Sequence, residues 1–200
     1  MKTDKCCYII AKHEFSSNDK LFFTSDTHFG HTNILKYCNR PFTNIQEHDK
    51  EIVKRWNEVV PEDGIVFHLG DIGFCSETYL RDILEKLNGK IYWIIGNHDW
   101  RRITKAIIPR FECITQQMVI RIGSHNIVYL NHFPFLCYSG SNKENVYQLF
   151  GHVHSGPLSN EGFDISKLVN LNKNQYDVGV DNNDFRPISW ESIKKKMGKI

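Results

Sequence analysis

The sequence predicts an α/β fold in which two sheets pack face to face. Three observations carry that reading. Apolar runs of strand length recur at Leu21–Thr24, Ile65–Leu69, Ile91–Ile95, Ile127–Leu130 and Val146–Phe150. In the first half, amphipathic helical segments alternate with these runs, the pattern of parallel, right-handed βαβ units. From Cys113 onward the runs Met118–Ile122, Ile127–Leu130, Val146–Phe150 and Tyr176–Val180 come with few helices between them. That half reads as a mixed sheet laid on the first.

In chain order, a short strand is expected at Cys7–Ala11, followed by the polar turn Ser16–Asp19 and the run Leu21–Thr24. Thr43 and Gln46 have the spacing of a capping box. Behind them Ile45, Ile52, Val53, Trp56 and Val60 share one helical face up to Pro61. Ser76 caps a second helix whose stripe is Leu80, Ile83, Leu84 and Leu87, and Asn88-Gly89 ends it. A third helix is expected over Trp100–Ile107 and a closing one over Ser189–Met197. The Asn-rich segment from Ser155 to Gln175 reads as loop.

The 200 residues suit a single domain over 1–200 with a sizeable core. With 40% hydrophobic and 24% charged residues the chain falls in the soluble globular class. A net charge of +2 makes no global demand for nucleic acid or membrane as a partner. The six cysteines form no CxxC pair, which points to free thiols in a reducing, cytoplasmic setting. No apolar run has the length of a secretory leader core or a membrane span, so no membrane partner is expected.

The chemistry lies at the strand ends. Leu21–Thr24 runs into Asp26 and His28, and Ile65–Leu69 into Gly70-Asp71. Ile91–Ile95 runs into Gly96-Asn97-His98-Asp99, Ile127–Leu130 into Asn131-His132, and Val146–Phe150 into Gly151-His152-Val153-His154. Ligands of α/β sheets bind outside the carboxyl ends of the strands, so these side chains should converge on one crevice. If the DxH and HxH segments are extended, residues two apart share a face and each pair points one way. Aspartate, asparagine and imidazole without thiolate suit a borderline-hard divalent cation. Six or seven such groups exceed one tetrahedral ion and suit two, the arrangement that hydrolyses phosphate esters with a hydroxide shared between the metals.

The ordered set DTH (26–28), GD (70–71), GNHD (96–99), NH (131–132) and GHVH (151–154) resembles the calcineurin-like metallophosphoesterase superfamily. The resemblance implies a four-layer α/β/β/α sandwich of two mixed sheets flanked by helices. It implies that Asp26, His28 and His154 hold one metal ion, that Asn97, His132 and His152 hold a second, and that Asp71 bridges them. It also implies that His98 acts as general acid or charge stabiliser at the leaving group. The cofactors would be two divalent ions; the donors fit manganese, iron, zinc, nickel or cobalt alike. The phosphoprotein phosphatases of that superfamily read GDxxDRG and GNHE. Here the text is GDIGFCS and GNHD, with Phe74 in the place of the later aspartate. That argues against a protein phosphatase and leaves Asp99 or a backbone carbonyl to orient His98.

Other residues carry plainer expectations. Arg40 is the candidate cation for a substrate phosphate, since guanidinium grips phosphate bidentately, and His31 is a second candidate substrate contact. His68 reads as a core histidine, and His13, His48 and His125 as surface residues. Arg101 and Arg102 read as a solvated helix face, Cys75 as an inert thiol, Asp181 and Asp184 as loop residues, and the lysine-rich tail 194–199 as a solvated helix end. The expected function is hydrolysis of a small phosphodiester. A nuclease acting on nucleic-acid strands is the alternative, less favoured because no basic track accompanies the motifs. A catalytically silent interaction scaffold of the same fold is the rival from another class. Its mark would be eroded ligands, and all of them are here.

Overall fold

A computed structural model describes residues 10–155 and 173–199. The expected loop of 155–175 falls almost wholly outside the described residues, as does most of the expected strand at Cys7–Ala11. The first described strand, β1 (Ala11–Phe15), starts where that one was to end. It is followed by β2 (Leu21–Thr24), the single turn α1 (Ile34–Tyr37), α2 (Ile45–Val59), β3 (Ile65–His68), α3 (Glu77–Leu84) and β4 (Lys90–Ile94). The second half supplies β5 (Phe111–Thr115), β6 (Gln117–Ile122), β7 (Asn126–Asn131), β8 (Val146–Phe150), β9 (Gln175–Asp177), β10 (Ile188–Ser189) and α4 (Trp190–Lys196).

These strands form the two mixed sheets of an α/β sandwich flanked by helices. One has the order β10-β2-β3-β4-β5, parallel except for β10; the other has the order β1-β6-β7-β8-β9, with β6 and β7 antiparallel. The division by halves of the chain holds with three exchanges, one of them β5, which joins β4 in the first sheet. β1 leaves the N-terminal half to pair with β6, and β10 returns from the C-terminus to pair with β2.

The core has two layers. Phe23, Phe67 and Ile94 of the first sheet meet Met118, Ile120, Val128, Leu130 and Leu149 of the second between the sheets, and Trp190 and Ile193 of α4 close that layer. On the outer face of the first sheet, Ile52 and Trp56 of α2 and Leu80, Ile83 and Leu84 of α3 cover Val66, Ile91 and Trp93. Each such side chain, removed from water, contributes about 1.5–3 kcal/mol before entropy is charged against it. β8 is buried along its whole length. Its outward Gln148 is covered by the loop after β7, accepting from the Phe135 N–H at 3.0 Å and donating to the Phe133 carbonyl at 2.9 Å. Among the described residues, no helix is long and apolar enough to cross a membrane.

Local signals worked with small shifts. The α2 cap is Asn44 rather than Thr43: its side chain accepts from the Glu47 N–H, while the Glu47 carboxylate accepts from the Thr43 N–H. Ser76 caps α3 as read, and Ser189, where the closing helix was expected to begin, is the cap of α4. The helix expected over Trp100–Ile107 does not form. Trp100–Arg102 is one 3-10 turn, and a second follows at Ile108–Arg110. Arg110 pins this stretch to the end of α3 by donating to the carbonyls of Leu84, Leu87 and Gly89.

Candidate metal centre

The loops that leave the strands are stitched together before any site is formed. Ser25 Oγ donates to the Leu69 carbonyl at 2.8 Å, and the backbone N–H groups of Asp26 and His28 donate to Gly70 and Asp71. The segment after β2 is thereby laid along the segment after β3. Asp99, fully buried, accepts from the backbone N–H groups of Asp71, Ile72 and Gly96 and from the Trp93 indole, so it joins the loops that carry Asp71 and Asn97. Two glycines are required by close approach. A Cβ on Gly96 would stand 2.3 Å from Asp71 Oδ1, and one on Gly151 would stand 2.4 Å from Asp26 Oδ2.

The backbone at these ends is unusual. Asp26, His28, Asp71, His152 and His154 all have φ between +47° and +70°. Left-handed backbone costs an L-residue roughly 1–2 kcal/mol, and its clustering marks a functional site. The extended geometry expected of the DxH and HxH pairs is therefore not the one used. The two members of the HxH pair part company: His154 joins Asp26 and His28, whereas His152 joins Asp71 and His132.

In each of those two groups the ligand-type atoms lie within 4.8 Å of one another. His154 Nε2 is 3.8 Å from Asp26 Oδ1, and His132 Nε2 is 3.5 Å from Asp71 Oδ2. Asn97 joins the second group, its Oδ1 lying 3.0 Å from His132 Nε2. Asp71 reaches both, since Oδ2 is also 3.7 Å from His28 Nε2. The donors suit a cation. Asp26 Oδ1 and His28 Nε2 are buried without a hydrogen-bond partner, a cost of about 1–3 kcal/mol each that a coordinated ion would remove.

The local field is negative enough for this. Burial opposes a charge on His132, but the Asp71 carboxylate and Asp26 overcome it and raise the imidazole to about 9. His154 is likewise opposed by burial, yet Asp26 and Asp181 raise it to about 11. His28 is instead held well below the ordinary range by burial, with Arg40 and neighbouring histidines adding to the effect.

Behind the ligands stands a group whose members the sequence suggested were a substrate contact, a surface histidine and a loop residue. His154 Nδ1 donates to Asp181 at 2.8 Å, which turns Nε2 towards Asp26. Asp181 in turn receives both arms of the Arg40 guanidinium, at 2.8 and 2.7 Å. Arg40 also donates to the carbonyls of Asp26 and Thr27 and to His48 Nε2, and His48 Nδ1 donates to Asp49. Burial works against ionising Asp181, but the Arg40 charge and the His154 hydrogen bond bring it to about 2.

Three expectations are thus corrected. Arg40 is buried and wholly engaged, so it is not a substrate-phosphate contact. His48 is fully buried rather than a surface residue, because it closes the fourth side of Arg40. Asp181 is no ordinary loop residue. The signal for it was present, a carboxylate just past the run Tyr176–Val180, as at the other strand ends. His13 is also half-buried, its ring edge-on to Tyr92 at 5.4 Å.

His98 stands at the mouth, its side chain 46% exposed, with Nε2 4.0 Å from Asp71 Oδ2 and its backbone N–H donating to Asp71 Oδ1. Asp99 does not orient it, being spent on backbone groups. The His98 ring instead meets the edge of Phe74 at 5.9 Å. His31 lies between Phe74 and His28: its ring is 5.0 Å from that of Phe74, and its Nδ1 lies 3.2 Å from that of His28. The described cysteines are all free, and burial pushes the Cys75 thiol up to about 11, in keeping with an inert residue.

Comparison with known proteins agrees with this geometry. A protein of Methanocaldococcus jannaschii described as uncharacterized is 33% identical over 182 residues, covering 90% of this chain and 92% of its own. The Gene 66 protein of Mycobacterium phage L5 is 26% identical over 186 residues, covering 80% of this chain and 86% of its own. The crystal structure of a protein of unknown function from Aquifex aeolicus superposes with a TM-score of 0.67 at 25% identity, over 90% of this chain and all of that one. The family model described as calcineurin-like phosphoesterase matches residues 20–198. With the strand-end aspartates and histidines gathered into two cation-suited groups, the chain belongs to the calcineurin-like phosphoesterase family, whose chemistry is metal-dependent hydrolysis of phosphoric esters.

Proposed function

We propose that this chain hydrolyses a small phosphodiester at a centre of two divalent metal ions. Asp26, His28 and His154 hold one ion, Asn97, His132 and His152 hold the other, and Asp71 bridges. The observation that carries the reading is the position of the Asp71 carboxylate, whose Oδ2 is 3.7 Å from His28 Nε2 and 3.5 Å from His132 Nε2, one histidine of each group. A lone site would not need a carboxylate shared in this way. The donor set suits manganese, iron, zinc, nickel or cobalt. When bound, the two ions supply an activated water and positive charge on the phosphoryl oxygens.

The chain's own residues do the rest. Asp181 and the Leu69 carbonyl fix the rings of His154 and His132 through Nδ1, leaving Nε2 free for coordination. His98, near Asp71 yet open to solvent, delivers a proton to the departing ester oxygen. A diester suits the surroundings because the cleft runs on past His98 and leaves room for an ester arm. The test is hydrolysis of bis-p-nitrophenyl phosphate against p-nitrophenyl phosphate by chelated protein refilled with Mn, Ni, Co or Zn. Faster diester cleavage that returns with metal is expected. Equal silence with every metal, in protein that binds two ions, would return the scaffold reading.

A further inference from the structure

The cleft beside His98 has a lining that the hydrolytic chemistry does not call for. It measures about 350 Å³ and is bounded by Phe74, Asn97, His98, Trp100, Arg101 and Arg102. That volume is within the range of small-molecule sites, about 300–1,000 Å³. Phe74 is 48% exposed and Trp100 58% exposed, whereas Trp56, Trp93 and Trp190 are each at most 5% exposed. Two large aromatic side chains beside a reaction centre thus present their surface to water. Arg102 is already committed: its guanidinium lies over the Phe74 ring at 5.2 Å and donates to the Cys75 carbonyl. Arg101 is exposed and has no ion pair or hydrogen-bond partner among the described residues.

We infer that this cleft is a subsite for the aromatic base of a nucleoside carried on the departing arm of the phosphodiester, with Trp100 and Phe74 as stacking surfaces and Arg101 as a cation for the polar edge or a further phosphate. The inference rests on the reading above, since it takes the departing arm to lie on the His98 side. Each alternative arm lacks part of what it needs here. A sugar would call for carboxylates to receive its hydroxyls, and no carboxylate lines the cleft. An acyl chain would call for an enclosed apolar channel, and this cleft is open, with two guanidinium groups in its wall. A base has a π-face for the rings and acceptors for Arg101, and stacking of this kind tolerates any base.

The test compares thymidylyl-(3′→5′)-thymidine with its abasic analogue, which keeps the sugars and the phosphodiester, on metal-refilled protein. The dinucleotide should show a KM about 10- to 100-fold below that of the analogue, the range expected of one stacked base. Trp100→Ala should remove most of that difference by raising KM, with kcat little changed. Trp100→Phe should keep much of it. Since Trp100 is the exposed tryptophan, the dinucleotide should also quench the intrinsic fluorescence saturably while the analogue does not. Cleavage of single-stranded oligothymidylate as well would assign a strand as the source of the base, and cleavage of the dinucleotide alone a small diester. Equal KM values for the two diesters, or a Trp100→Ala variant that leaves the difference intact, would overturn the subsite. If bis-p-nitrophenyl phosphate is not hydrolysed yet the dinucleotide quenches Trp100, it is the catalytic reading that fails and the subsite that stands.

Discussion

The two ligand groups share Asp71 but differ in depth. Asp26 and His28 are buried, and the His154 side chain is 21% exposed; in the other group His152 and Asn97 are both exposed. Their support differs as well. His154 is held through Asp181 by a buried guanidinium that also grips the backbone of Asp26 and Thr27, whereas His132 is held by one carbonyl, that of Leu69. A deep, charge-buttressed position and a shallow one facing the cleft are suited to unequal work. On the proposed two-ion reading, the first would retain its ion and the second would give up coordination to the substrate more readily.

The largest effect should come from the residue that belongs to both. Asp71→Asn should lower turnover by about a thousandfold or more, a loss of several kcal/mol of transition-state stabilisation, and should also lower the bound metal. His98→Ala should lower turnover by about 10²–10⁴-fold through loss of proton transfer, with metal content kept. Turnover and metal content measured on the same samples separate the two. A His98 variant that loses metal, or an Asp71 variant that keeps full activity, would break the assignment of roles.

The next effect bears on depth alone. Titration with a chelator should remove the two ions in two steps, and Asp181→Asn should draw the steps together by weakening the deep position about 10- to 100-fold. The same change leaves the Arg40 guanidinium buried without its carboxylate, which should cost about 3–5 kcal/mol of stability. Metal retention and urea unfolding are the two readouts. If Asp181→Asn altered neither, the buttress would be ornamental and the contrast in depth would carry no consequence.

How much of this was legible in the sequence follows from the range of each interaction. Strand ends and helix caps are local, so the motifs at 26–28, 70–71, 96–99, 131–132 and 151–154 could be read in order, and so could the Ser76 cap. Arg40 could not. Its partner Asp181 is 141 residues away, and no periodicity pairs residues at that distance. Backbone conformation was equally silent: Asp26, His28, His152 and His154 were read as extended, whereas hydrogen bonds between distant loops hold them at positive φ. The segment after His98 has apolar spacing that suits a helix. Arg102 and Arg110 are instead drawn to the carbonyls of Cys75 and the end of α3, and only 3-10 turns remain. β5 escaped notice because a single residue separates it from β6, the chain crossing from one sheet to the other at Gln116.

The smallest effect uses a histidine that lies beside the centre but outside both groups. His68 ends β3, three residues before Asp71, and is fully buried. Its Nε2 donates to Thr27 Oγ1, whose own hydroxyl donates to the Ile72 carbonyl, while Nδ1 has no partner. Burial holds it at about 3, the nearby Asp71 carboxylate opposing this only in part. His132 is buried too and moves the other way, so the contrast isolates what the carboxylates do to a buried imidazole. Between pH 6.5 and 3 the unfolded chain binds a proton at this position that the folded chain refuses. The stability associated with neutral His68 is therefore complete above pH 6.5 and is lost as the pH falls, by about 1.4 kcal/mol for each unit. Gln at this position can still donate to Thr27 and does not titrate. Unfolding free energies of wild type and His68→Gln, measured at pH 7.5 and 5.5, should diverge by about 1.4 kcal/mol between the two, about half a proton averaged over that interval, with the variant the flatter. Equal slopes would mean that His68 takes up its proton in the folded protein, and that burial does not set its charge.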